Sequence, residues 1–335
     1  AVQGSLRALQ DAGLRVADVD AVFTANLSRF SAIQLSEALG IFPAYVDSTL
    51  TGGSSFEMHL RHAAAAIKAG YCEVALIAYG SAQRSNRSRN IAGFLESGTS
   101  AAQYENVFAP LYPISFYAMV AQRYLHEYGA RSEDLAEVAV AARSWAEHNP
   151  KACARKPLTV DEVMAAPVVS SPLKVSDCCL VTDGGGAVIV TSRERARDLA
   201  KTPINVLGHG ETTTNAAMSQ VPDLLRHGSA ESSKRAFGMA GLTPRDIDVV
   251  EIYDAFTINV LVGLENLGFC KYGEAADFIK GGRLRHGGDF PLNTQGGGLS
   301  YCHPGMFGIF LLIEAVRQLR GESGPRQVAD AKHAL

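Results

Sequence analysis

An internal repeat constrains the fold of this 335-residue chain more than any other feature of its sequence. Residues 8–22 and residues 236–250 share the pattern Ala-x-x-x-Ala-Gly-Leu-x-x-x-Asp-(Val/Ile)-Asp-x-Val. Each copy predicts a helix that ends at a glycine, followed by a turn and a strand. Because one supersecondary unit occurs twice, the sequence predicts two related α/β halves.

A second pair of matching segments supports the duplication. Residues 52–55 and 303–305 each lead into a predicted helix, and these helices carry the apolar runs 63–67 and 309–313. A helix that is apolar on most of its faces is usually buried. We therefore expect one buried helix at the centre of each half.

Short apolar runs beside glycine or polar residues predict the strands of this fold. Strands that alternate with helices favour mostly parallel sheets that are covered on both faces. The predicted strands cover residues 21–24, 74–78, 187–190 and 204–207.

Residues 83–175 interrupt the alternation of strands and helices. They hold an arginine-bearing loop and two predicted helices, near residues 114–128 and 132–148. We interpret this segment as a loop domain that is inserted over the mouth of the active site. The halves on either side of it are predicted to be residues 1–82 with 176–209, and residues 210–335.

Composition limits the class of protein. A formal net charge of -3 argues against a nucleic-acid-binding surface, and the sequence has no apolar run long enough for a membrane span. The six cysteines show no metal-binding spacing, and we expect reduced thiols in a cytoplasmic protein. No histidine or carboxylate cluster predicts a metal site. The chain begins at Ala1 rather than at a methionine, so we expect that its true N-terminus is missing.

The stretch from Glu251 to Gly305 resembles the C-terminal half of the thiolase superfamily, and most closely the sterol-carrier-protein type of thiolase. Those enzymes carry His-Asp-Cys-Phe at a first motif and Gly-His-Pro at a second motif. Here Tyr253 replaces the first histidine, whereas His303 is retained. The segments 149–152 and 182–187 extend the resemblance over nearly the whole chain.

The resemblance implies a thiolase fold, in which duplicated α/β halves form a five-layered α-β-α-β-α arrangement. Members of the family usually begin with a strand upstream of the position of Ala1. They also continue beyond the position of Leu335 into a strand pair that carries a second catalytic cysteine. Both ends of this chain are therefore expected to be clipped.

The thiolase nucleophile is missing from its expected place. A thiolase needs a cysteine at the N-terminus of the first buried helix, where the helix dipole lowers the pKa of the thiol. Alignment of the helix ends puts this position near Gly53, and no cysteine precedes Cys72. We expect Ser54 and Ser55 to cap the helix rather than to act as nucleophiles.

Thiolase relatives that lack this cysteine and carry tyrosine in the first motif include the steroid side-chain aldolases. Residues 51–56, the Tyr-Asp-x-Phe motif and the Tyr-Cys-His-Pro-Gly motif resemble that group. The resemblance implies retro-aldol cleavage of a β-hydroxyacyl-CoA into a ketone or aldehyde and a short acyl-CoA. CoA enters only as part of the substrate, and no other cofactor is expected.

Three residues are the catalytic candidates: Tyr253, Tyr301 and His303. We expect one tyrosine to take the hydroxyl proton and the other to donate to the thioester enolate, but the residues leave open which does which. His303 would orient the thioester oxygen or hydrogen-bond a tyrosine. Glycines allow the backbone to approach a ligand closely. The substrate-binding candidates are Gly52, Gly53, Gly297 and Gly298.

The resemblance also implies partners. We expect a homodimer that is joined through sheet edges, and a small OB-fold partner with a zinc ribbon that binds acyl-CoA. The arginines of the inserted loop are either contacts for the CoA phosphates or part of a solvated loop; they are Arg84, Arg87 and Arg89.

Two other functions stay open from the sequence. One is a thiolase-type acyltransferase whose nucleophile is Cys302 or lies beyond Leu335. Cys302 is alternatively a small apolar filler. The other function is a non-catalytic subunit that binds acyl-CoA or lipid within an enzyme complex.

Overall fold

The repeated units of the sequence fold into matching helix ends. In a computed structural model, which describes residues 1–87 and 98–335, α1 (Val2–Ala12) and α9 (Ser229–Ala240) are each followed by a glycine with left-handed backbone geometry. The φ angle is 73° at Gly13 and 68° at Gly241. Since only glycine adopts this geometry without strain, both helices end where the repeat predicts.

A short 3-10 turn follows each glycine, at Val16–Asp18 and at Pro244–Asp246. The carboxylate at the end of each turn accepts a hydrogen bond from the backbone N–H three residues earlier, over 2.8 Å in the first copy and 2.7 Å in the second. In the first copy the chain continues into a strand. In the second copy, only isolated bridges form at Val249 and Val250 among the described residues.

One sheet lies in the N-terminal half, and its strands are, in spatial order, β2 (Tyr45–Asp47), β1 (Ala21–Phe23), β3 (Val74–Ala82) and β6 (Asp183–Thr191). β1 is parallel to β2 and β3, whereas β3 and β6 are antiparallel, with Ala82 opposite Asp183. The chain therefore leaves β3 and enters β6 at the same end of the sheet. The segment between these two strands begins and ends at that end of the sheet. The strands are β1 (Ala21–Phe23), β2 (Tyr45–Asp47), β3 (Val74–Ala82), β4 (Val168–Ser170), β5 (Leu173–Lys174) and β6 (Asp183–Thr191).

The prediction of a strand at residues 204–207 is wrong. This segment pairs with no strand among the described residues, and Val206 and Leu207 are 44% and 48% exposed. An apolar run becomes a strand only where a neighbour offers a ladder of hydrogen bonds, and no described segment does so here.

Two central helices meet at the junction of the halves. They are α3 (Ser55–Lys68) and α12 (Gly308–Leu319), and the aromatic side chains of Phe56, Phe307 and Phe310 belong to one core cluster between them and the sheet. α3 is buried or partly buried along most of its length, and its exposed residues are Ala65 and Lys68. A second core forms around α5 (Ile114–Tyr128), α6 (Ser132–Glu147) and α10 (Thr257–Leu267).

The two helices predicted in the interrupting segment are confirmed as α5 and α6. The boundaries of the proposed loop domain stay a prediction, and Arg89 of its arginine loop lies outside the described residues. No helix in the described ranges is long and apolar enough to cross a membrane. The remaining helices are α2 (Ser31–Leu39), α4 (Ser100–Glu105), α5 (Ile114–Tyr128), α6 (Ser132–Glu147), α7 (Val160–Ala165), α8 (Arg193–Ala196), α10 (Thr257–Leu267) and α11 (Ala275–Phe278).

The two repeat glycines differ in their surroundings, which gives a matched pair of variants. A Cβ atom on Gly13 would lie 2.9 Å from the Cβ atom of Ala200, whereas a Cβ atom on Gly241 would meet nothing within 4 Å. We expect Gly241→Ala to lower the free energy of unfolding by about 1 kcal/mol through backbone strain alone. Gly13→Ala should cost at least about 2 kcal/mol, because crowding adds to the strain. Urea unfolding of both variants measures the difference, and equal costs would contradict this account of the repeat.

Candidate active site

The structure brings two of the three catalytic candidates together. The hydroxyl oxygen of Tyr253 lies 2.9 Å from Nε2 of His303, and the two rings meet edge to face. The backbone N–H of Phe307 donates to the same hydroxyl oxygen over 3.0 Å. Thr182 fixes the backbone of His303, because its hydroxyl oxygen accepts the His303 N–H over 3.0 Å.

The surroundings of Tyr253 keep its phenol group neutral. Burial raises the pKa of Tyr253 well above its usual value of 10, and the N–H of Phe307 opposes this shift only in part. Since that N–H uses one lone pair of the phenol oxygen, one hydrogen and one lone pair remain. The hydroxyl can therefore donate to the Nε2 atom of a neutral His303 while its free lone pair accepts a proton from a ligand.

The ring of Tyr253 fills the space beside Gly53, at the start of α3. A Cβ atom on Gly53 would lie 2.2 Å from the Tyr253 hydroxyl oxygen and 2.3 Å from its Cε2 atom. Gly53 directly precedes the N-cap residue of α3, and the thiolase cysteine is expected within a few residues of this point. Tyrosine at position 253 and any side chain at position 53 therefore exclude each other.

The two serines beside Gly53 do not cap α3 as the sequence analysis expects. Ser54 is the N-cap residue but its side chain makes no capping hydrogen bond. The hydroxyl of Ser55 instead accepts the N–H of Thr51 over 2.9 Å and donates to the carbonyl of Gly52 over 2.7 Å. Because this short hydrogen-bonded turn precedes the helix and already satisfies Ser55, the prediction of a side-chain cap is wrong.

The glycine run that precedes His303 surrounds a carboxyl group of the protein. The N–H of Gly298 donates to Oδ1 of Asp254 over 2.6 Å, and a Cβ atom on Gly297 would lie 1.9 Å from Oδ2 of Asp254. Burial raises the pKa of Asp254 to about 7. Substrate binding by Gly52, Gly53, Gly297 and Gly298 stays a prediction.

Asp254 is a site residue that the sequence analysis missed. Its position directly after Tyr253 and the three glycines at 296–298 were the available signals, because a backbone without Cβ atoms can wrap a carboxylate. Asn293 completes the arrangement. Its side-chain oxygen accepts the N–H of Ile252 and its side-chain nitrogen donates to the Ile252 carbonyl, each over 2.8 Å, which holds the loop that carries Tyr253.

Tyr301 lies apart from this pair. Its ring packs edge to face on Phe310, with 6.0 Å between the ring centroids, and burial raises its pKa to about 12. It lines a cavity of about 2030 Å³ whose described wall includes neither Tyr253 nor His303. Within residues 1–87 and 98–335 no hydrogen bond joins the Tyr301 hydroxyl to the pair, and a catalytic role for Tyr301 stays a prediction.

Cys302 has the surroundings of a filler rather than of a nucleophile. The side chain is 6% exposed, and burial raises the pKa of its thiol. A neutral buried thiol is a poor nucleophile. No group of histidine, cysteine and acidic residues in the described part of the chain is arranged to hold a metal ion.

Comparisons with known proteins show the family to which the chain belongs. Residues 210–335 match the family model described as "Thiolase C-terminal domain-like". The chain is 36% identical to 17-hydroxy-3-oxo-4-pregnene-20-carboxyl-CoA lyase of Mycobacterium tuberculosis, over 100% of this chain and 89% of the relative. It is 33% identical to acetyl-CoA acetyltransferase of Methanothermobacter thermautotrophicus, over 98% of this chain and 88% of the relative.

A solved structure is similar over the whole chain. It is the "Ltp2-ChsH2(DUF35) aldolase", with a TM-score of 0.90, 34% sequence identity, and coverage of 100% of this chain and 87% of that chain. The chain belongs to the thiolase superfamily. Its fold is the thiolase fold, as the sequence resemblance predicts.

The exclusion between Gly53 and Tyr253 can be tested by a double-mutant cycle. Gly53→Ala should destabilise the protein by about 2 kcal/mol or more when Tyr253 is present, because the added methyl group displaces the phenol ring. In a Tyr253→Ala background the same change should cost less than about 0.5 kcal/mol. Thermal or urea unfolding of the four proteins gives the coupling energy. Additive costs would show that the ring and residue 53 do not compete for this space.

Proposed function

We propose that the chain is a carbon–carbon lyase that performs retro-aldol cleavage of a β-hydroxyacyl-CoA. The observation that carries the proposal is the ring of Tyr253 packed against Gly53 at the start of α3, near the expected position of the thiolase cysteine, with no cysteine before Cys72. A protein of this superfamily without that nucleophile keeps a thioester site but has no residue there to form an acyl-enzyme. The similarity to a lyase and to an aldolase structure gives further support.

The reaction requires no reactant other than the thioester. A base takes the proton of the β-hydroxyl group, a carbonyl forms at the β-carbon, and the bond between the α- and β-carbons breaks. Its electron pair passes to the thioester as an enolate, and a proton returned to the α-carbon gives the short acyl-CoA. The protein therefore needs a base, a donor for the enolate oxygen and a source for the returned proton.

We assign the base function to Tyr253 and His303 acting as one unit. The phenol oxygen accepts the substrate's hydroxyl proton while the phenol hydrogen passes along the hydrogen bond to Nε2 of His303, which lies 2.9 Å from that oxygen. This route avoids a free phenolate, which burial disfavours strongly at Tyr253. Tyr301 is then the candidate donor to the enolate oxygen, with Gly52, Gly53, Gly297 and Gly298 as backbone neighbours of the substrate.

The substrate that we propose is a steroid side-chain thioester, with propionyl-CoA or acetyl-CoA as the short product. The relative named as a carboxyl-CoA lyase acts on a compound of this type, as its name states. We propose that the chain works as a homodimer in the cytoplasm and without a cofactor. We also propose an acyl-CoA-binding OB-fold partner with a zinc ribbon, since the similar aldolase structure is named together with a DUF35 protein. Exposed Arg84 and Arg87 are candidates for contact with CoA phosphates.

Thiolase-type acyl transfer is the second candidate function, because a relative of similar identity is named as an acetyltransferase. Among the described residues Cys302 is the cysteine beside the second motif, and its thiol is buried and neutral. Sensitivity to iodoacetamide with acyl exchange into added CoA would favour this function. A non-catalytic acyl-CoA-binding subunit would bind the thioester and cleave nothing, even with its partner.

The proposal predicts a specific pair of products. Incubation with a steroid-side-chain β-hydroxyacyl-CoA, alone and with a DUF35-type partner, should release a ketone or aldehyde and a short acyl-CoA in equal amounts. Mass spectrometry of the CoA esters measures this release. Binding without either product, in the presence of the partner, would favour the non-catalytic subunit instead.

Removal of the phenol hydroxyl should abolish most of the turnover. We expect Tyr253→Phe to lower kcat at least about a hundredfold, the usual scale for a proton-transfer group, with folding intact. Tyr301→Phe should have an effect of similar size if its hydroxyl donates to the enolate.

Tyr124→Phe is the matched control, because its buried hydroxyl donates to Glu265 over 2.6 Å in a different core cluster. We expect this variant to lose some stability and to keep its turnover. Near-normal turnover in Tyr253→Phe or Tyr301→Phe would remove that tyrosine from the mechanism.

A further inference from the structure

A buried carboxyl oxygen without a hydrogen-bond partner lies near the active-site tyrosine. It belongs to Glu57, in the first turn of α3 and close to Gly53. The Glu57 side chain as a whole is only partly buried, but its Oε2 atom is buried, and no residue among 1–87 and 98–335 forms a hydrogen bond with it. Such a group needs an explanation, because an unpaired buried carboxylate is costly.

Gly308 leaves the room that this carboxyl group occupies. A Cβ atom on Gly308 would lie 2.3 Å from Oε2 and 2.6 Å from Oε1 of Glu57, so no other residue type fits at position 308 without displacing the carboxyl group. Gly308 is the first residue of α12. The N-terminus of a helix favours negative charge, and the carboxylate form of Glu57 gains from this position.

The same start of α12 contacts the active-site tyrosine. The N–H of Phe307 donates to the Tyr253 hydroxyl over 3.0 Å, and the next N–H, of Gly308, donates to the carbonyl of Gly53 over 3.1 Å. The Glu57 carboxyl group and the Tyr253 phenol group therefore both lie against the start of α12. Burial is the largest cause that raises the pKa of Tyr253, and the negative charge of Glu57 adds to it.

Other charged groups lie around the cavity that Glu57 and Tyr301 both line. They come from α1, from α3 itself, from the loop before α7, from β6 and from α12. None of them offsets the burial of Glu57, which raises the pKa of this carboxyl group to about 7. These groups include Arg7, Lys68, Lys151, Asp183, Glu314 and Arg317, and the same cavity is also lined by Asp11, Arg193, Lys201, Arg320, Glu322 and Lys332.

We propose that Glu57 acts through Tyr253 and His303. Its carboxylate stabilises the positive charge that this pair gains when it takes the proton of the substrate's β-hydroxyl group. The inference rests on the proposed retro-aldol function. The pair holds the proton only until a proton is returned to the α-carbon, so the step needs no further reactant. Glu57 touches no reacting atom in this scheme and is a positioning residue.

The test compares pH profiles, which a merely structural role would not change. Glu57→Gln removes the charge and keeps the shape. Below about pH 6 the wild-type carboxyl group is mostly neutral, and the wild-type and variant kcat values should be nearly equal. At pH 8 the carboxylate is present only in the wild type, which should be about tenfold faster. A kcat ratio that stays constant with pH, or a variant that is faster at pH 8, contradicts the proposal.

Glu105→Gln is the matched control, because Glu105 is also buried and also has an Oε2 atom without a hydrogen-bond partner in the described ranges. Its other oxygen accepts the N–H of Ser219, and neither Glu105 nor Ser219 lines the cavity that Glu57 lines. We expect this variant to follow the wild-type kcat profile at every pH.

Unfolding measurements separate failure of this inference from failure of the proposed function. The pKa of Glu57 is higher in the folded chain than in the unfolded chain, so its contribution to stability is full below about pH 4 and is lost as the pH rises through about 7. Glu57→Gln should remove this part of the pH dependence of unfolding. An unchanged dependence contradicts the inference, whereas wild-type protein that cleaves no thioester at any pH contradicts the function.

Discussion

The close approach of the Tyr253 ring to Gly53 is the constraint on which the site depends. The ring fills the space at the start of α3, and its hydroxyl accepts the N–H of Phe307 just before α12. One phenol group thus joins the two central helices. The matching segments 52–55 and 303–305 lead into these helices in the two halves. His303 completes the contact over 2.9 Å. In the proposed mechanism this tyrosine transfers a proton instead of an acyl group, within the same thiolase fold.

A buried network holds the loops that carry these groups. Glu251 accepts the side-chain N–H of Gln295 over 2.7 Å. Burial is the largest cause that raises the pKa of Glu251, and the charge of nearby Glu314 is the second. Arg326 bonds to Glu314 and donates to the carbonyl of Thr294 over 3.0 Å. Arg326 compensates the charge of Glu314, and the raised pKa of Glu251 favours its neutral form, so that little unpaired negative charge is buried here. Ionic and hydrogen-bonding contacts, as well as packing, therefore hold the segments beside Tyr253 that contain Glu251 and Thr294.

Sequence reasoning reached the elements that leave a local pattern. The repeat located Gly13 and Gly241 at helix ends, and apolar spacing located α5 and α6, because capping and periodicity are encoded in neighbouring residues. The strand at 204–207 failed since a strand needs a partner that no local pattern reveals. Glu57 and Asp254 escaped notice for a similar reason. Their burial depends on glycines that are distant in the sequence, and an acidic residue in a polar stretch is normally solvated.

Isotopically labelled free CoA tests the central claim most directly. In retro-aldol cleavage the CoA group stays on the short acyl fragment, so labelled CoA added with a β-hydroxyacyl-CoA substrate and partner should remain free. The account predicts an unlabelled short acyl-CoA together with a ketone or aldehyde. Label in any acyl-CoA product would mean that a thiol attacks the acyl group, and it would return the protein to the acyl-transferring thiolases.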